Sequence, residues 1–165
     1  MPGTTDVFAA RILIVDDQES SIRLLEYTLR RGGYAGVSST GNSSEVSALH
    51  RRNRYDLILL DVQMPGMNGF EVLTGLRSLE EGNDVPVLVL TADPLHVERA
   101  LDCGATGFLS KPFVLAEVLM CVGLLLRAAV DDRRASAVHG PSPIEGSECL
   151  NDRDTDSGRV VSRRP

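Results

Sequence analysis

Four apolar runs of this chain each end in a residue suited to phosphoryl or metal chemistry. Residues 12–15 run into Asp16-Asp17, 57–60 into Asp61, 87–90 into Thr91, and 107–110 into Lys111. Lys111 is the single lysine among seventeen basic side chains, the rest being arginine. A compact ammonium offers a point charge to a phosphoryl oxygen, where the planar arginine fork is larger and differently shaped. Three carboxylates gathered at one edge repel: at 4 Å and an effective dielectric near 20, each pair costs about 4 kcal/mol. A divalent cation relieves that, and an all-oxygen set with an open face suits Mg²⁺, which keeps waters and accepts a phosphate. One carboxylate can attack phosphorus to give an acyl phosphate. Lys111 and the Thr91 hydroxyl then hold the other phosphoryl oxygens.

Each residue alone has a plainer explanation. An Asp after a strand is usually a cap or a turn former. Thr91 suits a cap before Asp93-Pro94, and Lys-Pro suits an ordinary turn. Taken jointly, the plain reading needs four coincidences at one edge of one sheet.

Such a site needs a scaffold that gathers strand ends. Short apolar runs alternate with stretches of helical period, which implies a parallel sheet covered by helices. Strands are expected at 11–15, 36–39, 56–60, 86–90 and 107–110, and helices at 19–31, from an N-cap within Asn42 to Ser44 to about Arg51, at 70–79, from Pro94 to about 103, and at 113–129. The fold class is therefore α/β, a five-stranded parallel sheet doubly wound with five helices. Ligands of such sheets bind beyond the carboxyl ends of the strands, where Asp16, Asp17, Asp61, Thr91 and Lys111 fall. In the last helix Leu115, Val118, Val122, Leu125 and Ala129 form one apolar stripe. Leu119, Leu124 and Leu126 lie beyond it.

The chain divides into a flexible N-terminus (1–10), one domain (11–129), and a tail (130–165) too poor in large apolar groups to offset its ordering entropy, hence expected disordered. With 165 residues and a formal net charge of −6, non-specific nucleic-acid binding is not expected. No run is long enough to cross a bilayer, and no signal peptide is indicated. Three cysteines without metal-ligand spacing fit a reduced, cytoplasmic protein. His50 and His96 are expected on helix surfaces.

The motifs Ile-Leu-Ile-Val-Asp-Asp (12–17), Leu-Ile-Leu-Leu-Asp-Val-Gln-Met-Pro-Gly-Met-Asn-Gly (57–69), Val-Leu-Val-Leu-Thr-Ala (87–92) and Gly-Ala-Thr-Gly-Phe-Leu-Ser-Lys-Pro-Phe (104–113) together resemble the receiver domain of two-component response regulators, over roughly 11–129. The resemblance implies a flavodoxin-like, CheY-like fold and a phosphorylation switch. It implies Asp61 as phosphoacceptor, with Asp17, Asp61 and the backbone carbonyl of Gln63 around Mg²⁺ and Asp16 as the acidic neighbour. It further implies Thr91 and Phe108 as switch residues, and Lys111 as the phosphate-sensing lysine, its bond to Pro112 usually cis. Gln63 and Asp93 are expected to tune the phosphoryl lifetime. Two positions depart from common family usage: Gln18 stands where glutamate is frequent, and Phe108 lacks a tyrosine hydroxyl.

The implied partners are a sensor histidine kinase or histidine phosphotransfer protein, and a downstream target or a homodimer through the last two helices, on a face holding Phe108, Leu119 and Leu126. Nucleic acid and membrane are excluded from the expected partners, there being no helix-turn-helix or basic segment after Ala129. The chemistry is confined to the chain's own phosphorylation and dephosphorylation, with no turnover of an external metabolite. Two alternatives are weighed. A phosphorylation-independent adaptor of the same fold is disfavoured by the intact acidic pair, acceptor, threonine and lysine. A haloacid-dehalogenase-type phosphatase needs an acid two residues after its nucleophile, where this chain has Gln63.

Overall fold

A computed structural model describes residues 6–66, 68–79 and 84–138. Five strands and five helices alternate: β1 (Arg11–Val15), α1 (Glu19–Arg31), β2 (Gly36–Thr40), α2 (Val46–Asn53), β3 (Leu57–Asp61), α3 (Gly69–Arg77), β4 (Val87–Thr91), α4 (Leu95–Asp102), β5 (Gly107–Ser110) and α5 (Leu115–Val138). All neighbouring strands pair parallel, in the order β2-β1-β3-β4-β5. The order reverses at β1, so the ends of β1 and β3 flank the switch point where such sheets bind ligands.

Alternate residues of each strand feed opposite layers, as the pleat requires. Leu13, Val15, Ile58 and Leu60 pack with Phe70, Leu73 and Leu76 on one face. Ile12, Ile14, Leu57 and Leu59 pack on the other with Leu25, Leu29, Val118, Val122 and Leu126. Strands β3 and β4 are buried along their whole length, as central parallel strands covered on both faces must be. Each such leucine or isoleucine contributes about 1.5–3 kcal/mol by leaving water, which holds the strand ends rigidly enough to align charged groups.

Most boundaries fall within a residue or two of the sequence reading. The 42–51 segment differs: a 3-10 turn, Ser43–Glu45, capped by Asn42, precedes α2. Both ends of the chain also differ. Helix α5 continues past Ala129 to Val138. Residues 130–138 contain neither Gly nor Pro, and extending an existing helix is far cheaper than nucleating one. Arg133 ties the extension to the sheet through an ion pair with Asp56 at 3.1 Å. The rest of the expected tail, 139–165, lies outside the described residues. At the other end, Val7–Ala9 form a 3-10 turn in which the Phe8 amide donates to the Asp6 carboxylate. The Phe8 ring lies 5.5 Å from Tyr34, and Ala35 N donates to Phe8 O. A single 3-10 turn has no hydrophobic period to reveal it.

Three side-chain expectations are corrected. The buried stripe of α5 is Val118, Val122 and Leu126, while Leu115 is exposed. The proposed face of Phe108, Leu119 and Leu126 therefore does not exist as one surface. Leu126 is in the core, Leu119 packs partly against it beside Gly32, and Phe108 alone is exposed. The third correction is His50, which is 2% exposed and stacked beside Tyr55 rather than on the surface.

Candidate functional site

Asp16 follows β1, and its amide donates to Thr40 O of β2. Its side chain is fully buried, with Oδ1 accepting from Gln18 N at 2.8 Å. Asp17 beside it is exposed. Asp61 is the last residue of β3 and is 2% exposed. Its Oδ1 accepts from Gln63 N at 2.8 Å and its Oδ2 from Lys111 Nζ at 2.9 Å. Lys111 Nζ also approaches Asp16 Oδ2 at 3.5 Å. Carboxylate oxygens of Asp16, Asp17 and Asp61 all lie within 4.8 Å of one another.

The lysine arrives by a fixed route. Lys111 N donates to Thr91 O at 2.8 Å, and the Lys111-Pro112 bond is cis. Burial is the largest influence on the ammonium and favours its neutral form. The hydrogen bond and charge of Asp61, with the charge of Asp16, outweigh it and raise the pKa above 10.5. Burial likewise dominates at Asp16, raising its carboxyl above 3.8 although the Gln18 amide and Lys111 pull the other way. A buried carboxylate pair with one ammonium remains short of positive charge.

Thr91 closes β4 and is fully buried. Its hydroxyl is engaged with the following loop: Oγ1 accepts from Asp93 N at 3.1 Å and is 3.3 Å from Asp93 O. Asp93 caps α4, its Oδ1 accepting from Leu95 N at 2.9 Å, with His96 Nε2 3.8 Å from Oδ2. The Gln63 side chain is exposed. Phe108 pairs in register with Val89 and is 44% exposed. The structure thus brings Asp16, Asp17, Asp61 and Lys111 into one cluster. Thr91 stands at the neighbouring strand end and Phe108 further down β5.

Two supporting residues were not singled out from the sequence. Asn68 Oδ1 accepts from Phe70 N and caps α3. Gly69 lets that helix start against the end of β3: a Cβ there would lie 2.5 Å from Val62 Cα and 2.9 Å from Asp61 O. The Asn-Gly pair before an apolar period was the available signal.

Residues 12–122 match the family described as response regulator receiver domain. The chain belongs to the response-regulator receiver family. The receiver is 41% identical over 125 residues to the transcriptional regulatory protein PrrA of Mycobacterium tuberculosis, covering 74% of this chain and 52% of that protein. It is 41% identical over 130 residues to the response regulator MprA of Mycobacterium leprae, covering 78% and 56%. The chain spans about half the length of these relatives. Among solved structures, the chemotaxis response regulator CheY4 of Vibrio cholerae superposes with a TM-score of 0.66 at 33% identity, over 71% of this chain and 98% of that one. The receiver domain of the sensor histidine kinase PA1611 of Pseudomonas aeruginosa, described with a magnesium ion coordinated in its active-site cleft, gives 0.66 at 30%, over 72% and 98%.

The relatives overturn one expectation. Nucleic acid was excluded on net charge and on the lack of a basic segment after Ala129. PrrA, of which this chain spans about half, is named a transcriptional regulatory protein, and the charge of a receiver says nothing about such an output.

Proposed function

We propose that this receiver is a switch that accepts a phosphoryl group on Asp61 from phosphohistidine of a sensor kinase or phosphotransfer protein. The observation that carries the reading is the 2.9 Å bond from Lys111 Nζ to Asp61 Oδ2 inside a converging acidic cluster. An Asp61 oxygen attacks phosphorus, the P–N bond breaks, and the imidazole leaves as the neutral ring once it holds a proton. Lys111 keeps its proton and shifts its hydrogen bond to a phosphoryl oxygen. The Thr91 hydroxyl, released from the Asp93 backbone, donates to another.

The donor set fits a hard divalent cation: oxygen ligands only, an excess of negative charge and one exposed carboxylate at the mouth. Asp17, Asp61 and the Gln63 carbonyl would hold Mg²⁺, with Asp16 beside it. When bound, the ion neutralises charge on the moving phosphoryl group. Reversal of the switch is hydrolysis of the acyl phosphate, with Gln63 and Asp93 bordering the path of water. The chain modifies itself and turns over no external substrate. Among the described residues no helix is long and apolar enough to cross a membrane, and action in the cytoplasm beside a kinase's catalytic portion follows from the reading. Likeness to PrrA and MprA supports an output on transcription.

Intact-mass measurement with a small phosphodonor tests this. Wild type should gain one phosphate only with Mg²⁺, and Asp61→Asn none. Equal labelling of Asp61→Asn would sink the assignment.

A further inference from the structure

At the end of the sheet opposite the phosphoacceptor, an acidic chain exposes a concentrated basic surface. Helix α2 finishes with His50-Arg51-Arg52-Asn53, and Arg54 follows in the left-handed conformation, φ 53°. Arg11 opens β1 next to them, its Nη1 donating to Asn53 O at 2.7 Å. Arg11, Arg52, Asn53, Gly36 and Ser38 line a groove of about 410 Å³ along the start of β2, which is an edge strand with β1 as its one neighbour. Arginines in the last turn of a helix complement its dipole, and that accounts for Arg51 and Arg52 as helix formers. It does not account for Arg11, which lies outside the helix. The carboxylate adjoining this surface is Asp56, and it is already committed. One oxygen accepts from Arg11 N at 2.9 Å and the other pairs with Arg133 at 3.1 Å. Among the described residues Arg51 and Arg52 have no ion-pair partner.

An occupant of matching charge is present in the same chain. Residues 145–156 carry Glu145, Glu148, Asp152, Asp154 and Asp156 against the single Arg153. The tether starts at the right place. Arg133 of α5 meets Asp56, which itself meets Arg11, and the five residues from there to Val138 rise about 7.5 Å. Seven further residues to Glu145 span at most about 25 Å, so the acidic stretch reaches the groove without strain. Single surface ion pairs are weak and salt-screened, but a tethered partner sits at an effective concentration of roughly millimolar.

We infer that residues 145–156 dock in cis on the basic foot formed by Arg11, Arg51 and Arg52. The contact is electrostatic, reversible and independent of the phosphorylation site.

Paramagnetic broadening in the full chain tests this, with a nitroxide on Cys149 and Cys103 and Cys121 replaced by Ala. Amides of 36–38 and 51–54 should lose at least twofold more intensity than those of 115–122. The effect should vanish in Arg51→Glu/Arg52→Glu and at about 0.5 M salt, where the Debye length falls to a few Å. In untagged wild type, which needs no cysteine changes, the same amides should shift on adding salt, and Asp152→Asn/Asp154→Asn/Asp156→Asn should abolish those shifts. Absent broadening, or broadening unchanged by the charge reversal, overturns the proposal. So does broadening seen only when label and isotope are on different molecules, which makes the contact intermolecular. Broadening that requires added duplex DNA overturns it in favour of nucleic acid.

Discussion

The backbone amide of Asp93 donates to the Thr91 hydroxyl at 3.1 Å, so this threonine is tied to the β4–α4 loop. On the proposed function, phosphorylation competes for that hydroxyl. In Thr91→Ala the half-buried Asp93 amide loses its acceptor, at a cost of about 1 kcal/mol. Exchange of the Asp93 amide should quicken while Asp61 still gains phosphate. Loss of labelling in Thr91→Ala would place the threonine in the chemistry rather than in its read-out.

Mg²⁺ should raise the melting temperature of the wild type, because it binds the folded cluster and not the dispersed carboxylates of the unfolded chain. Asp17→Ala should abolish that shift. At 100-fold excess over the dissociation constant the shift corresponds to about 2.7 kcal/mol. An unchanged response in Asp17→Ala removes Asp17 from the ion's shell.

The raised pKa of Asp16 gives a signed pH dependence. Burial, the largest cause, makes its folded carboxyl bind protons more readily than the unfolded one. Stability contributed by Asp16 therefore falls as pH rises from about 3.8 through the raised value, since the folded state holds the extra proton. Without metal, Asp16→Asn should melt higher than wild type at neutral pH, its amide oxygen still accepting from Gln18 N. The gap should close as pH drops through that window. A variant that melts lower than wild type at neutral pH contradicts the sign.

Gly69→Ala forces a methyl into Val62 Cα and Asp61 O, backbone that cannot rotate away. Overpacking of this kind costs about 1–3 kcal/mol. Chemical denaturation should show that loss, and labelling of Asp61 should slow because the acceptor's own strand end is displaced. Wild-type stability would mean that α3 slides freely.

Asp93 and Gln63 separate two roles. The Asp93 carboxylate caps α4 through Leu95 N, so Asp93→Ala should cost about 1 kcal/mol in stability. If Asp93 also orients water, dephosphorylation of the variant should change more than twofold. Gln63→Ala keeps the Gln63 amide on Asp61 Oδ1, so any change in lifetime comes from its side chain. Rates within twofold for both leave Asp93 a cap alone.

The sheet and the cluster at its edge were legible because β3 and β4 are unbroken apolar runs that end in Asp61 and Thr91. Nothing in such a run competes with the strand reading. Helix α5 was legible as a helix but not in phase. Residues 118–126 are uncharged throughout, so several stripes fit the period equally well. Packing against α1, where Leu119 fills the space over Gly32, decides that Leu126 goes inward. His50 was misplaced for a related reason: a polar ring can be buried when an aromatic neighbour such as Tyr55 covers it, and that neighbour follows the helix. The α5 extension was read as tail because low apolar content was weighed above helix propagation.

A chain with one lysine has, apart from its α-amino group, one primary amine. That amine is hydrogen-bonded to Asp61 and its side chain is 24% exposed. The α-amino group apart, an amine-selective reagent therefore reports on this site: acylation of Lys111 follows the state of the cluster, without an introduced probe. Lysine acetylation acting on this protein would likewise have a single side chain to modify, and modifying it would remove the positive charge that faces the acceptor.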